Sequence, residues 1–585
     1  MLDLIIRGGT VVDGTGAPPR RADVAVTGGV ITEVGRVDGP AARELDADGL
    51  LVTPGFVDVH THFDGQATWD PHLTPSCWHG VTTVVMGNCG VGFAPVRPQA
   101  HDELIELMEG VEDIPGTALS EGMSWGWETF EEYLDALDAK PRSLDVGVHL
   151  PHAPLRAYVM GDRALDDASP DEVAQMAALV TRALRAGALG FSTGRTAGHR
   201  DVRGRAVPGT YAALDELSAL MAAVREVGRG VFQVVPAGVG GAITGDAADA
   251  MDAELDWIVE QGITSGVPLT FLAMQQDSRG AFGGLPVDHW KPWFERVRAA
   301  NDLGANIRPQ VGARCFGVLM GLQSRLNPFQ YRAHYRDIAH LPLAERVRAL
   351  RDPARRSAIL ADEPDYGDTV ALDKIGRRAM SRLFPLGDRL DYEPTPEQSI
   401  AAIAMREGRD PWEVAYDAML GHDGKELLLL PLLNFGDDSY DGLLEMMSDP
   451  VTLQGLGDGG AHVGIVCDAS MTTYLLSHWT RDRTRGPQLP LEVAVRRITG
   501  DPAAFYGLTD RGVLAPGLKA DINVIDHANL RLVQPEQVND LPGGAGRLVQ
   551  RSEGYVATFV AGEQVIADGE LTGALPGRLV RGSSS

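Results

Sequence analysis

The stretch Pro54-Gly55-Phe56-Val57-Asp58-Val59-His60-Thr61-His62 sets an apolar run ahead of two histidines two residues apart. Residues i and i+2 of a strand share a face, so both imidazoles can converge on one ion. With 15 histidines in 585 residues, chance alone yields roughly 0.4 such pairs. The pair takes its meaning from position, at the C-terminal end of an apolar strand, where parallel barrels carry their chemistry.

Seven further runs have the same texture. They are 81–90 (VTTVVMGNCG), 144–152 (LDVGVHLPH), 188–194 (ALGFSTG), 230–238 (GVFQVVPAG), 268–276 (PLTFLAMQQ), 305–313 (ANIRPQVGA) and 452–460 (TLQGLGDGG). Amphipathic stretches such as 170–186 alternate with them. With 55–62 the total is eight, the number that closes a parallel barrel. Residues 1–53 instead alternate apolar and polar around glycine turns, and that pattern returns at 513–580. Both termini are therefore expected to build a small β-sandwich beside a barrel spanning 54–512. Residues 315–450 are too long for a bare loop, and their helical patterning predicts an insertion before strand eight that covers the barrel mouth. The expected class is α/β, a TIM-like (β/α)8 barrel with a terminal β-sandwich and a helical insertion.

Lys and Arg number 52 against 80 Asp and Glu, a net charge of −28. Such a field repels phosphate backbones and anionic headgroups, and no apolar run approaches the ~20 residues of a membrane span. Neither nucleic acid nor membrane is expected as a partner. A small-molecule substrate is, with homo-oligomer formation left open. Four scattered cysteines and a start, MLDLIIRGG, without a basic, long apolar leader predict a reducing cytoplasm.

Asp458, among the glycines that end the eighth run, is the best candidate base: a carboxylate there can take a proton from water and return it to a leaving nitrogen. Cys89, after the second run, is either a thiolate ligand or a small core residue. After the third run, His152 is a candidate for orienting substrate and Arg156 for gripping a carboxylate. Arg314, at the end of the seventh, competes for the carboxylate role. Arg195, His199 and Arg200 are weaker candidates, with loop packing as their alternative. None of the five lysines ends the fourth strand, which closes the route through a carbamylated lysine bridge.

In order along the chain, LIIRGGTVVDGTG, PGFVDVHTH, GVTTVVMGNCG, PHAPLRAYVMG, AGALGFSTG, GDGGAH and the closing ITGDPAAFYGLTDRGVLAPGLKADINVID resemble the landmarks of the amidohydrolase superfamily. The branch they resemble is that of the D-aminoacylases, or N-acyl-D-amino-acid deacylases. The resemblance implies a zinc hydrolase of N-acyl-D-amino acids with His60, His62, Cys89 and Asp458 at the metal centre, Asp458 also being the acid/base. The chain departs from that branch in lacking its histidines near the ends of strands five and six, where VFQVVP (231–236) and TFLAMQQ (270–276) stand. Gln233, Gln275 and Gln276 offer only weak oxygen contacts in their place, so one zinc ion is expected rather than two. Trp290, Trp293 and Phe316 are expected to line a larger pocket. Hydrolysis of a cyclic amide or imide, lyase or isomerase chemistry, and a non-catalytic scaffold are the competing readings.

Overall fold

Eight parallel strands follow one another around a single sheet: β1 (Phe56–Asp58), β2 (Val81–Met86), β3 (Asp145–Pro151), β4 (Gly190–Gly194), β5 (Val231–Val235), β6 (Leu269–Leu272), β7 (Ile307–Val311) and β8 (Leu453–Gln454). The structure, a computed structural model, describes residues 1–239, 247–276, 285–367 and 377–582. Hydrogen bonds from Asp458 N to His60 O (2.9 Å) and from His62 N to Gly459 O (2.7 Å) join the first strand to the last. They close the sheet into a barrel, so each of the eight sequence runs contributes one strand.

The strands are buried on both faces, which is why they read as unbroken apolar runs. Val57, Val59, Val85, Leu189, Val231 and Leu453 pack together with Tyr506. The helix Pro170–Ala186 begins with a capping box between Ser169 and Glu172, satisfying backbone N–H groups that the first turn would leave orphaned.

A nine-stranded sheet draws on both ends of the chain. Leu2–Val11 pairs antiparallel with Arg20–Thr27 and parallel with Ala41–Asp46 and Leu51–Pro54. Leu51–Pro54 pairs with Ile522–Ile525, which leads through Tyr555–Val560 and Glu563–Ala567 to Glu570–Leu571.

Two expectations need correction. The insertion is not helical alone: Phe316–Gly321, Leu427–Leu433 and Phe384–Pro385 form an antiparallel sheet beside its helices. Its central strand, Leu-Leu-Leu-Leu-Pro-Leu-Leu, is buried throughout, as a strand covered on both faces must be. Trp290 and Trp293, expected at a pocket, are almost fully buried. They lie on Trp290–Asp302, after β6, and pack into the main core.

Asp145, at the start of β3, accepts hydrogen bonds from Arg511, from Lys519 Nζ (2.6 Å) and from Arg578 N (2.8 Å), fastening the C-terminal segment to the barrel floor. Its carboxyl is held below the usual range, because Lys519 and Arg511 outweigh the larger penalty of burial. Asp145→Ala leaves the buried Arg511 guanidinium with Asp510 as its remaining carboxylate partner and is expected to cost about 1–3 kcal/mol, read as a lowered midpoint in urea or thermal denaturation. An unchanged midpoint would show that the ion pair is not structural.

Candidate metal centre

Barrel closure brings four side chains to one point. His60 Nε2 lies 3.2 Å from Cys89 Sγ and 3.5 Å from Asp458 Oδ1. His62 Nε2 lies 3.7 Å from the same sulfur and 3.9 Å from the same oxygen. A tetrahedral zinc ion with bonds of its usual length holds its donor atoms about 3.3–3.7 Å apart. These four distances lie at or near that spacing, and the mixed imidazole, thiol and carboxylate set suits zinc. Among the described residues, His60, His62 and Cys89 are the one group of three or more His, Cys, Asp or Glu side chains with ligand-type atoms this close.

The backbone is bent to achieve this. Cys89 (φ 56°) and Asp458 (φ 46°) both occupy the left-handed region, a strain that persists only where the surroundings impose it. Gly90, at φ +74°, could not be replaced, since a Cβ there would sit 2.7 Å from Gly194 N.

Each ligand is held from behind. The Nδ1–H of His60 donates to Gln310 Oε1 (2.8 Å), which turns Nε2 toward the cluster. His62 Nδ1 forms an ion pair with Glu112 Oε1 at 3.1 Å, and Gln233 Oε1 accepts from Cys89 N (3.0 Å). Such partners fix tautomer and ring orientation. Glu112 ends the helix His101–Glu112 and belongs to no motif, so sequence reasoning missed it. Also missed were Asp64, whose buried carboxylate accepts from Gly87 N (3.2 Å), and His462, four residues past Asp458. His462 lies 3.5 Å from Asp113 and edge-on to both His199 and Phe316. Asp113 in turn pairs with Arg325 of the insertion at 2.9 Å, tying that segment to the site's rim.

The pair His152 and Arg156 is not available to substrate. His152 spends Nδ1 on Thr193 Oγ1 (2.9 Å) and Nε2 on Glu216 Oε1 (2.8 Å). Arg156 pairs with the same carboxylate and donates to Ala164 O and Asp166 O. The three form a closed buried network, and the expected substrate role is corrected to a structural one. Gln275 is likewise committed to the insertion: its Oε1 accepts from Gly436 N (2.9 Å) and its Nε2 donates to Val287 O (3.1 Å). Gln276 Nε2 donates to Gly238 O. Of the three amides, Gln233 alone touches a ligand residue, through its backbone. Arg195 pairs with Glu254 (2.7 Å), and Arg200 donates to Gly204 O (2.9 Å). Arg314 is fully buried, donates through Nη2 to Cys467 O (2.8 Å) and Asp468 Oδ1 (3.1 Å), and lies over the Tyr392 ring. Among the described residues, its Nε and Nη1 make no hydrogen bond that meets full geometric criteria.

Burial governs the protonation of the cluster. It drives His60 well below its ordinary value, with His62 adding to the effect. His62 is instead held well above, because Glu112 and Cys89 overrule its burial. Burial pushes the Cys89 thiol up to about 11 and the Asp458 carboxyl up to about 7, in each case against the pull of His62. At neutral pH a metal bound by all four groups would displace the thiol proton of Cys89, the imidazolium proton of His62 and part of the Asp458 proton, between about two and three protons per ion. All three groups hold protons below their metal-free values, so affinity is expected to rise with pH, by more than about a hundredfold per unit near neutrality. Calorimetric titration of zinc in buffers of different ionisation enthalpy measures the count. Binding without proton release would exclude the thiolate as a ligand.

A family model described as the amidohydrolase family matches residues 43–566. An uncharacterised protein of Mycobacterium tuberculosis is 30% identical over 622 aligned residues, covering 98% of this chain and 93% of its own. An N-acyl-D-aspartate deacylase of Alcaligenes xylosoxydans xylosoxydans is 29% identical over 587 residues, 99% of this chain and 95% of that one. The crystal structure of an N-acyl-D-glutamate deacylase from Bordetella bronchiseptica, in complex with zinc and a phosphonate inhibitor, shares the fold with a TM-score of 0.64 at 24% identity, covering 99% of this chain and all of that one. With its closed barrel, its strand-end histidine pair and a family match over most of its length, the chain belongs to the amidohydrolase family, and its relatives lie in the D-aminoacylase branch.

Proposed function

We propose that the protein hydrolyses the amide bond of a small N-acylated, carboxylate-bearing substrate, of the N-acyl-D-amino-acid type, with one zinc ion held by His60, His62, Cys89 and Asp458. The observation that carries this reading is the convergence of those four side chains at the barrel mouth. The kinship with N-acyl-D-amino-acid deacylases, one of them solved with zinc, supports the substrate class and the metal. Support for a single ion comes from strands five and six, where no imidazole is offered.

When bound, a divalent ion supplies Lewis acidity toward a carbonyl and an attacking water. The chain's own residues do the rest. Asp458 is placed to accept the proton that water loses on attacking the carbonyl carbon. It then delivers that proton to the departing nitrogen as the C–N bond breaks, so carboxylate and amine leave with Asp458 in its starting state. Glu112 keeps His62 oriented, and Gln310 does the same for His60. Arg314 remains the candidate anchor for the substrate carboxylate. Its Nε and Nη1 form a buried edge, which a carboxylate can satisfy with charge-assisted hydrogen bonds.

Two outcomes test this reading on a panel of N-acyl-D- and N-acyl-L-amino acids. Asp458→Asn is expected to lower kcat on the D-series by about 10²–10⁴-fold, and Arg314→Met to raise KM with a smaller change in kcat. Turnover in ¹⁸O-water must place label in the released carboxylate. Unlabelled product, or an Asp458→Asn variant as fast as the parent, would exclude the hydrolytic mechanism.

A further inference from the structure

Beneath the metal ligands lies a layer of buried polar side chains whose hydrogen-bonding capacity the protein does not fill. His149 of β3 and Val231 of β5 both stand opposite Gly190 of β4, and Gln233 is two residues beyond Val231. Gln233 and Arg308 of β7 both stand opposite Thr270 of β6, and Gln310 is two residues beyond Arg308. An advance of two residues for every two strands is what strand tilt imposes in an eight-stranded barrel, where alternate strands supply the members of one inward layer. His149, Gln233 and Gln310 therefore share a level, and all three are fully buried.

Two of the three reach up to the ligands. Gln310 Oε1 accepts from His60, and Gln233 Oε1 accepts from Cys89 N. Those contacts decide which way each amide faces: a backbone N–H can only donate, and His60 must carry its proton on Nδ1 when Nε2 serves the ion. Among the described residues, the Nε2 groups of both glutamines have no protein acceptor, and neither ring nitrogen of His149 has a partner. Two N–H donors and one imidazole lone pair are what a single buried water requires, accepting twice and donating once. The neighbouring interior positions are filled by Val57, Val59, Val85 and Val231. An apolar residue at 233 or 310 would leave the N–H of Cys89 or of His60 without its acceptor.

We propose that His149, Gln233 and Gln310 act together, through one shared water molecule, as a polar floor that positions Cys89 and His60 for the metal ion. The three are positioning residues, and the inference rests on the metal-centre reading above. In the floor, His149 receives what the two amides cannot give each other, and rotation of either amide is tied to the placement of a ligand.

The test uses full-length protein stripped with a chelator and titrated with Co²⁺, whose thiolate charge-transfer and visible bands report on Cys89 and on coordination geometry. His149→Phe keeps an aromatic ring on Tyr506, with which His149 stacks, and removes both nitrogens. Gln310→Met removes the acceptor of His60, and Gln310→Glu restores it. His149→Phe and Gln310→Met are each expected to weaken Co²⁺ binding by about 10–100-fold and to shift the charge-transfer band, while Gln310→Glu, which returns the acceptor of His60 but not the N–H given to the water, recovers part of the parent affinity. A folded His149→Phe protein with the parent's affinity and spectrum would reduce His149 to a packing residue and overturn the proposal. If that variant does not fold, equal Co²⁺ affinity in Gln310→Met and Gln310→Glu overturns it instead. A parent protein that takes up no Co²⁺ would defeat the metal centre itself, an outcome distinct from failure of the floor alone.

Discussion

Two backbone hydrogen bonds, from Asp458 N to His60 O and from His62 N to Gly459 O, join the first barrel strand to the last, and every functional distance depends on them. The residues they unite are almost 400 positions apart in the chain. Without closure the histidine pair would sit on the edge of an open sheet, and Asp458 would have no cation to serve. Asp58 reinforces the seam, its buried carboxylate accepting from His60 N at 3.1 Å. Gly457 lies so near that a Cβ would fall 2.0 Å from the Asp58 carboxylate. The strands end here in glycines because backbone and carboxylate approach more closely than side chains permit.

Closure gathers polar and ionisable groups in a buried place. Burial opposes charge on all of them, yet the ion pair of His62 with Glu112 survives, and Glu112 is held down to about 2 as His62 outweighs its burial. Protein interiors tolerate such clusters when opposite charges and hydrogen bonds compensate them. Here Glu112, Gln233 and Gln310 supply that compensation from outside the ligand set. A bound cation would complete it, converting a costly concentration of donors into a satisfied one.

The barrel was legible because its strands are buried on both faces, and burial writes itself as apolar runs ending in glycine. The convergence of His60, His62 and Asp458 was legible from strand periodicity and strand ends. Cys89 was not decided by its surroundings in sequence, and the family resemblance tipped it. Glu112 was invisible because it closes a helix between strands, where no spacing rule marks it. His152 and Arg156 misled for a related reason: Glu216, which claims both, lies some sixty residues further on. A reader of sequence sees a cation near a strand end and cannot see the carboxylate waiting for it. The insertion's sheet left one signal, the run Leu427–Leu433, which the helical patterning around it outweighed.

The central claim is that one ion is bound by two imidazoles, one thiolate and one carboxylate at the mouth of the closed barrel. X-ray absorption spectroscopy of the zinc-loaded protein tests it most directly, because sulfur and nitrogen or oxygen scatter distinguishably. The account predicts one ion per chain, with a single sulfur at about 2.3 Å and the remaining nitrogen and oxygen ligands, solvent among them, at about 2.0–2.2 Å. A coordination shell without sulfur, or one made only of oxygen in octahedral geometry, would contradict it.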